Sequence, residues 1–359
     1  MNYTIVQNDK APAYLQLYRQ VRADIENEVY PLGSKLPSKR TVAEEVGVSA
    51  VTVEHAYALL SEEGYIETRE RSGYFVIFRA ADGFVGKSLP SYQAAAHHTA
   101  AHSEFSFSLL TKTMRRVMSE YGEAILEKSP NEGLQELREA ICRYLARSRG
   151  IQVSTEQIVI GSGSEYLYGL IVELLGRARI YAIESPSYKK IEQVYRVADV
   201  QYEKLPLGQD GIESGALWGS KADVLHISPY RSFPSGVTAT ASKRYEYLAW
   251  AEADKYIIED DFESEFSVSK KAEETLFSHT AADNVIYMNT FSKTISPALR
   301  VGYMVLPRAL VDVYAQKLGF YSCTVPTFEQ LVLTELLDSG DFERHINRVR
   351  RKKRKEISK

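Results

Sequence analysis

The sequence predicts a two-part α/β chain: a small unit of three helices and a β-hairpin, then a large layered domain on a mostly parallel sheet. Three observations carry this. Before residue 78, apolar residues recur at helical spacing in three short segments and then fall into two β-like runs. From Ile158 to Val305, six apolar strand-length runs alternate with helix-length segments, as in a sheet buried on both faces. At 359 residues, the chain is also too long for one ordinary core.

The first helix is carried by Leu15, Tyr18, Val21 and Ile25 and is broken by Pro31-Leu32-Gly33. A short second helix turns Val42, Ala43 and Val46 inward and stops at Gly47. Ser49 stands where an N-cap belongs, and Val53, Ala56, Tyr57 and Leu60 form the inner face of a third helix, closed by Gly64. The runs Tyr65–Thr68 and Tyr74–Ile77, separated by a turn containing Gly73, read as a hairpin. Three helices and a hairpin over residues 1–78 make a winged helix-turn-helix. Residues 79–104, with Gly83, Gly86, Pro90 and an Ala/His-rich patch, read as a linker. Residues 105–359 form the large domain, with strands expected at Ile158–Ile160, Ile180–Ile183, Val224–Ile227, Tyr256–Ile258, Val285–Met288 and Val301–Val305.

Composition narrows the function classes. Lys and Arg number 44 against 47 Asp and Glu, a net charge of −3, which argues against binding polyanions through bulk positive charge. Any nucleic-acid function therefore rests on a local site. Two cysteines, Cys142 and Cys323, build no disulfide framework and read as reduced thiols, which points to the cytoplasm. No secretory leader and no apolar run long enough for a membrane span is apparent, and no metal site is expected.

The stretches Leu36-Pro37-Ser38-Lys39-Arg40, Gly47-Val48-Ser49-Ala50-Val51-Thr52-Val53, Glu63-Gly64-Tyr65-Ile66 and Gly73-Tyr74-Phe75-Val76, in that order, closely resemble the winged helix of GntR-type transcriptional regulators. The resemblance implies double-stranded operator DNA as a partner, with the third helix entering the major groove from its N-terminal end. It places Ser49, Thr52 and His55 on that helix, Ser38, Lys39 and Arg40 at the start of the second, and Arg69, Arg71 and Gly73 in the wing. Two positions depart from the family: Ala50 stands where an arginine is usual, and Glu54 where a basic residue is frequent. Residues 1–80 hold nine Lys and Arg against eleven Asp and Glu, so no basic excess compensates.

In the large domain, Thr290-Phe291-Ser292-Lys293 followed by Leu299-Arg300-Val301-Gly302 resembles the Schiff-base segment of fold type I aminotransferases. By that resemblance, Lys293 links to the aldehyde of pyridoxal 5'-phosphate, while Thr290 and Arg300 bind its phosphate. Gly161-Ser162-Gly163-Ser164, between a strand and a helix, suits the same phosphate, so Ser162, Gly163 and Ser164 join the set. Asp260, at a strand end, is assigned to the pyridine nitrogen by motif position, with Asp261 as second choice, and Tyr188 to stacking on the ring. Ser228–Gly236 and Glu259–Phe266 are similar to the segments found in MocR-type members of the GntR family, with Phe262 where tyrosine is more frequent. By the same resemblance, losing the tyrosine hydroxyl removes a hydrogen bond to the cofactor's phenolic oxygen.

The resemblance implies a homodimeric regulator that senses the cofactor or an amino compound. It also implies a small C-terminal subdomain, most of which the chain is expected to lack, because it ends within Arg350-Arg351-Lys352-Lys353-Arg354-Lys355. That run reads as the polar side of a long helix. Two alternatives stay open: an aminotransferase with an accessory DNA-binding domain, and a regulator that has lost ligand control.

Overall fold

The computed structural model describes residues 3–6, 11–69, 72–79, 105–252, 254–261, 264–267, 274–279 and 283–357. Arg71, Phe262 and the expected linker beyond Arg79 lie outside the described residues. The chain divides into two compact units, Met1–Thr99 and Ala100–Lys359.

In the first unit, helices α1 (Ala13–Glu26), α2 (Lys39–Val46) and α3 (Ala50–Glu62) precede strands β1 (Ile66–Arg69) and β2 (Gly73–Val76). The periodic residues of α1 and α3 meet in one core: Leu17, Tyr18, Val21 and Ile25 pack with Val53, Ala56, Tyr57 and Leu60, closed by Leu36, Val42, Ile66 and Val76. Ser38 and Ser49 cap α2 and α3, accepting from the backbone N–H of Thr41 at 3.2 Å and Thr52 at 3.1 Å. Gly47 ends α2 at φ +73°, a left-handed conformation that favours glycine. The hairpin pairs Ile66 with Val76 and Arg69 with Gly73. The wing also gains an edge from residues 33–36: Gly33 N donates to Val76 O at 2.8 Å and Leu36 N to Tyr74 O at 2.9 Å. The breaker reading of Pro31-Leu32-Gly33 did not anticipate this pairing, whose partner lies some forty residues away.

The second unit runs α4 (Phe107–Tyr121), α5 (Gln135–Arg149), β3 (Ile158–Gly161), α6 (Ser164–Leu175), β4 (Tyr181–Ser185), α7 (Lys189–Val197), β5 (Tyr202–Pro206), α8 (Ser214–Gly219), β6 (Val224–Ile227) and α9 (Ala241–Trp250). It continues with β7 (Tyr256–Asp260), α10 (Leu276–His279), β8 (Val285–Thr290), β9 (Gly302–Val305), α11 (Arg308–Leu318), α12 (Thr327–Asp338) and α13 (Asp341–Ile357). Seven strands form one sheet in the order β3-β9-β8-β7-β6-β4-β5, parallel except for β9, which runs antiparallel to both neighbours. All six expected runs are strands. The seventh, β5, escaped the reading because it is an edge strand with Glu203 and Lys204 at its centre rather than a continuous apolar run.

Strand alternation sorts side chains to the two faces of the sheet. Ile258, Ile286, Met288 and Met304 pack with α6, α7 and α11, whereas Tyr287, Tyr303 and Val305 pack with α5, α12 and α13. The basic run Arg350–Lys355 lies within α13, as the helix reading expected. Among the described residues, no helix is long and apolar enough to cross a membrane.

Candidate functional site

Lys293 sits on the turn joining antiparallel β8 and β9. Local hydrogen bonds close this turn: Phe291 N donates to Val301 O at 2.8 Å, Ser292 Oγ to Leu299 O at 2.9 Å and Ile295 N to Phe291 O at 2.9 Å. From α13, His345 Nε2 donates to Thr294 O at 2.9 Å. These bonds fix the backbone on both sides of Lys293.

The turn borders a cavity of 220 Å³ lined by Ser164, Glu165, Tyr188, Thr290, Ser292, Lys293, Pro297 and Arg300. Five sequence-expected residues, Ser164, Tyr188, Thr290, Lys293 and Arg300, thus meet from three segments of the chain: the start of α6, the residue before α7, and the end of β8 with its connection to β9. The Lys293 side chain opens to solvent on one side, yet its surroundings disfavour charge. Burial, followed by the positive charges of Lys353 and Arg231, lowers its pKa to about 8.

Arg300 lies against the first turn of α6. Gly163 has φ +92°, a conformation that favours glycine, and a Cβ there would come within 2.6 Å of Arg300 Nη2, so the guanidinium would have to shift to admit one. Gly163 precedes α6 and offers no side-chain cap to its first turn. Ser162 is not among the residues lining the cavity; its backbone N–H donates to Thr324 Oγ1 at 3.1 Å. The expectation missed Glu165, although it directly follows Ser164. Its carboxylate accepts hydrogen bonds from both Arg300 Nη2 and Lys190 Nζ.

The two neighbouring aspartates diverge. Asp260 is the last residue of β7 and falls on the α6 face, where its Oδ2 accepts from Tyr168 at 2.5 Å and lies 3.8 Å from His226 Nε2. That imidazole nitrogen is buried without a hydrogen-bond partner, while Nδ1 on the same ring meets the Tyr195 hydroxyl at 2.7 Å. Asp261, one residue on, turns to the opposite face, where Arg149 Nε donates to it at 3.0 Å and the Tyr287 hydroxyl at 2.6 Å. It is tied into a buried ion pair, which leaves Asp260 as the carboxylate on the Thr290 side of the sheet. Tyr168 and His226 were not anticipated, since only the sheet register brings them to Asp260.

In the first unit, Ser38, Arg40, Ser49, His55 and Arg69 are exposed, and Lys39, Thr52 and Gly73 are half-buried. Several are already engaged. The hydroxyls of Ser38 and Ser49 cap their helices, and Ser49 Oγ meets Thr52 Oγ1 at 2.9 Å. Lys39 pairs with Glu54 at 2.9 Å, Arg69 with Glu67 at 2.7 Å, and the His55 ring packs edge-on against Tyr14. Gly73 adopts φ +107°, where the wing turns into β2.

Comparison with known proteins accounts for both units. Residues 13–76 match the family described as bacterial regulatory proteins, gntR family, and residues 102–358 match aminotransferase class I and II. The chain is 31% identical over 358 residues to the HTH-type transcriptional regulator YdeL of Bacillus subtilis (strain 168), covering 96% of this chain and 77% of that protein. It is 26% identical over 367 residues to the probable rhizopine catabolism regulatory protein MocR of Rhizobium meliloti, covering 95% and 74%. Among solved structures, a kynurenine aminotransferase of Pyrococcus horikoshii superposes with a TM-score of 0.63 at 28% identity, covering 69% of this chain. The match spans 64% of that chain's length.

Proposed function

The chain belongs to the MocR-like GntR-family transcriptional regulators, in which a GntR helix-turn-helix is joined to a fold type I aminotransferase domain, and from that membership we propose that a pyridoxal-phosphate site in the large unit controls operator binding by the small one. The observation that carries the cofactor reading is the Lys293 amine, lowered to about 8, in a cavity shared with Thr290, Ser292 and Arg300. A neutral amine is the form that attacks an aldehyde, and hydroxyls with a guanidinium are the donors a phosphate needs.

The residues present fit such a group. Gly163 leaves room for Arg300, Tyr188 offers a ring face, and Asp260 supplies a buried carboxylate backed by Tyr168 and His226. When bound, pyridoxal phosphate supplies an aldehyde that condenses reversibly with amines and a pyridinium that draws electrons. The chain's part is to make Lys293 easier to deprotonate than a surface lysine, to seat the phosphate on Arg300, Thr290 and Ser164, and to keep a carboxylate at the ring nitrogen. In the small unit, α3 enters the major groove with Ser49, Thr52 and His55 near the DNA, while Arg40 and Arg69 meet phosphates. Two such units in a homodimer read two half-sites. Ligand control then requires that the cofactor, alone or with an amino compound, binds two arrangements of the dimer unequally.

The test is an absorbance titration of the purified chain with pyridoxal phosphate, then borohydride reduction and peptide mass spectrometry, alongside Lys293→Ala. The expected result is cofactor mass on the Lys293 peptide and none in the variant. A folded protein that traps no cofactor would overturn the reading. A gel shift against the chain's own promoter region, with and without cofactor, tests control; equal retention of random DNA at moderate salt would sink operator recognition.

A further inference from the structure

The phosphate end of the cavity carries a charge that works against phosphate. Glu165, in the first turn of α6, lies beside Ser164 and turns its carboxylate into the same space. Both oxygens are engaged, Oε2 by Arg300 Nη2 and Oε1 by Lys190 Nζ. Arg300 is the guanidinium for which Gly163 clears room, so the best-placed cation of the cavity is already neutralised from within the chain.

Resting on the cofactor reading above, we propose that Glu165 is an internal competitor for the phosphate anchor: a phosphate-bearing ligand binds by displacing the Glu165 carboxylate from Arg300, and Glu165 thereby sets the cavity's affinity for phosphate.

Two further observations support displacement. Partial burial disfavours the charged carboxylate, but the Lys190 hydrogen bond, the backbone N–H of Glu165 and Arg300 outweigh it and hold the pKa at about 2. Protonation therefore does not release Arg300 near neutral pH, and only movement of the side chain does. A place to move exists. Glu165 also lines a second, larger cavity of 530 Å³ between α6 and α7, where Lys190 lies too, so its side chain stands between two spaces. Rotating outward with Lys190, Glu165 keeps one cationic partner while Arg300 turns to the phosphate. A carboxylate and a phosphate dianion sharing one guanidinium repel each other, whereas exchange conserves the charge-assisted hydrogen bonds.

The experiment compares wild type with Glu165→Gln, Arg300→Gln and the double variant in two titrations: pyridoxal phosphate followed by absorbance, and inorganic phosphate followed by thermal stabilisation. The glutamine keeps the shape of Glu165 and removes its charge. Glu165→Gln is expected to lower the apparent Kd for pyridoxal phosphate roughly tenfold, the order of one charge-assisted hydrogen bond returned to the ligand. In the Arg300→Gln background the same substitution should change little, which a general loss of negative charge would not reproduce. Unchanged or weaker binding in Glu165→Gln would overturn the proposal, making Glu165 a support that orients Arg300. If neither protein attaches pyridoxal phosphate, the cofactor reading fails and inorganic phosphate decides this one separately. Greater stabilisation by phosphate in Glu165→Gln then upholds competition at Arg300, and equal or no stabilisation refutes it.

Discussion

Under the proposed function, α3 and α6 each present an N-terminus to phosphate groups, and they do so in opposite ways. The first turn of α3 is capped by Ser49 and contains no acidic residue, and its outward Ala50 and Val51 are exposed. The first turn of α6 has a glycine before it instead of a capping side chain and carries Glu165, bound to two cations. Both ends have the positive partial charge of a helix N-terminus. One is set by residues within three positions of it; the other is tuned by Arg300 and Lys190, which arrive from other parts of the chain. The helix end open to solvent relies on local chemistry, and the one in a cavity is governed by its tertiary neighbours.

That contrast is sharpened most by removing a buried charge from the large unit. Arg149 is almost wholly buried and is paired with Asp261 at 3.0 Å. Arg149→Leu leaves that carboxylate uncompensated and should reduce the stability of the large unit by about 3–5 kcal/mol in urea unfolding. A loss no greater than that of an ordinary surface substitution would mean that this network tolerates water and that the two units do not differ in this respect.

A second effect is expected in the rate of cofactor attachment. Because the Lys293 pKa is lowered to about 8, the neutral amine is the minor form below that pH and the major form above it. The attachment rate measured by stopped-flow absorbance should therefore rise about tenfold per pH unit below 8 and level off above it. A rise continuing to pH 10 would show that Lys293 behaves as a free surface lysine and that the cavity does not tune it.

The smallest effect belongs to the small unit. Ser49→Ala removes the acceptor of the Thr52 N–H and should destabilise that unit by about 1 kcal/mol, read by thermal unfolding. Because Ser49 acts within its own turn, the transition of the large unit should not move. A shift of both transitions by the same amount would break the distinction between local and tertiary control.

The legibility of the two regions followed the same division. Ser49 and Gly47 could be read as a cap and a stop because a cap depends on residues within a few positions of itself. The six buried strands were visible because a strand covered on both faces is apolar throughout, whereas β5 was hidden by its edge position. Thr290, Lys293 and Arg300 were found through a family motif, which recorded that they belong together without showing why.

The sequence by itself determined the two-unit organisation, the six apolar strands and the glycine turn before α6, because periodicity, capping and backbone conformation are properties of neighbours in the chain. Only the tertiary structure decided which aspartate faces the cavity side, since Asp260 and Asp261 differ in sequence by one position and in space by the thickness of a sheet. It also decided that Lys293 is shifted and that Glu165 holds Arg300. The reason is physical: burial, register and through-space charge act between residues far apart in sequence, and no local pattern encodes the distances on which they depend.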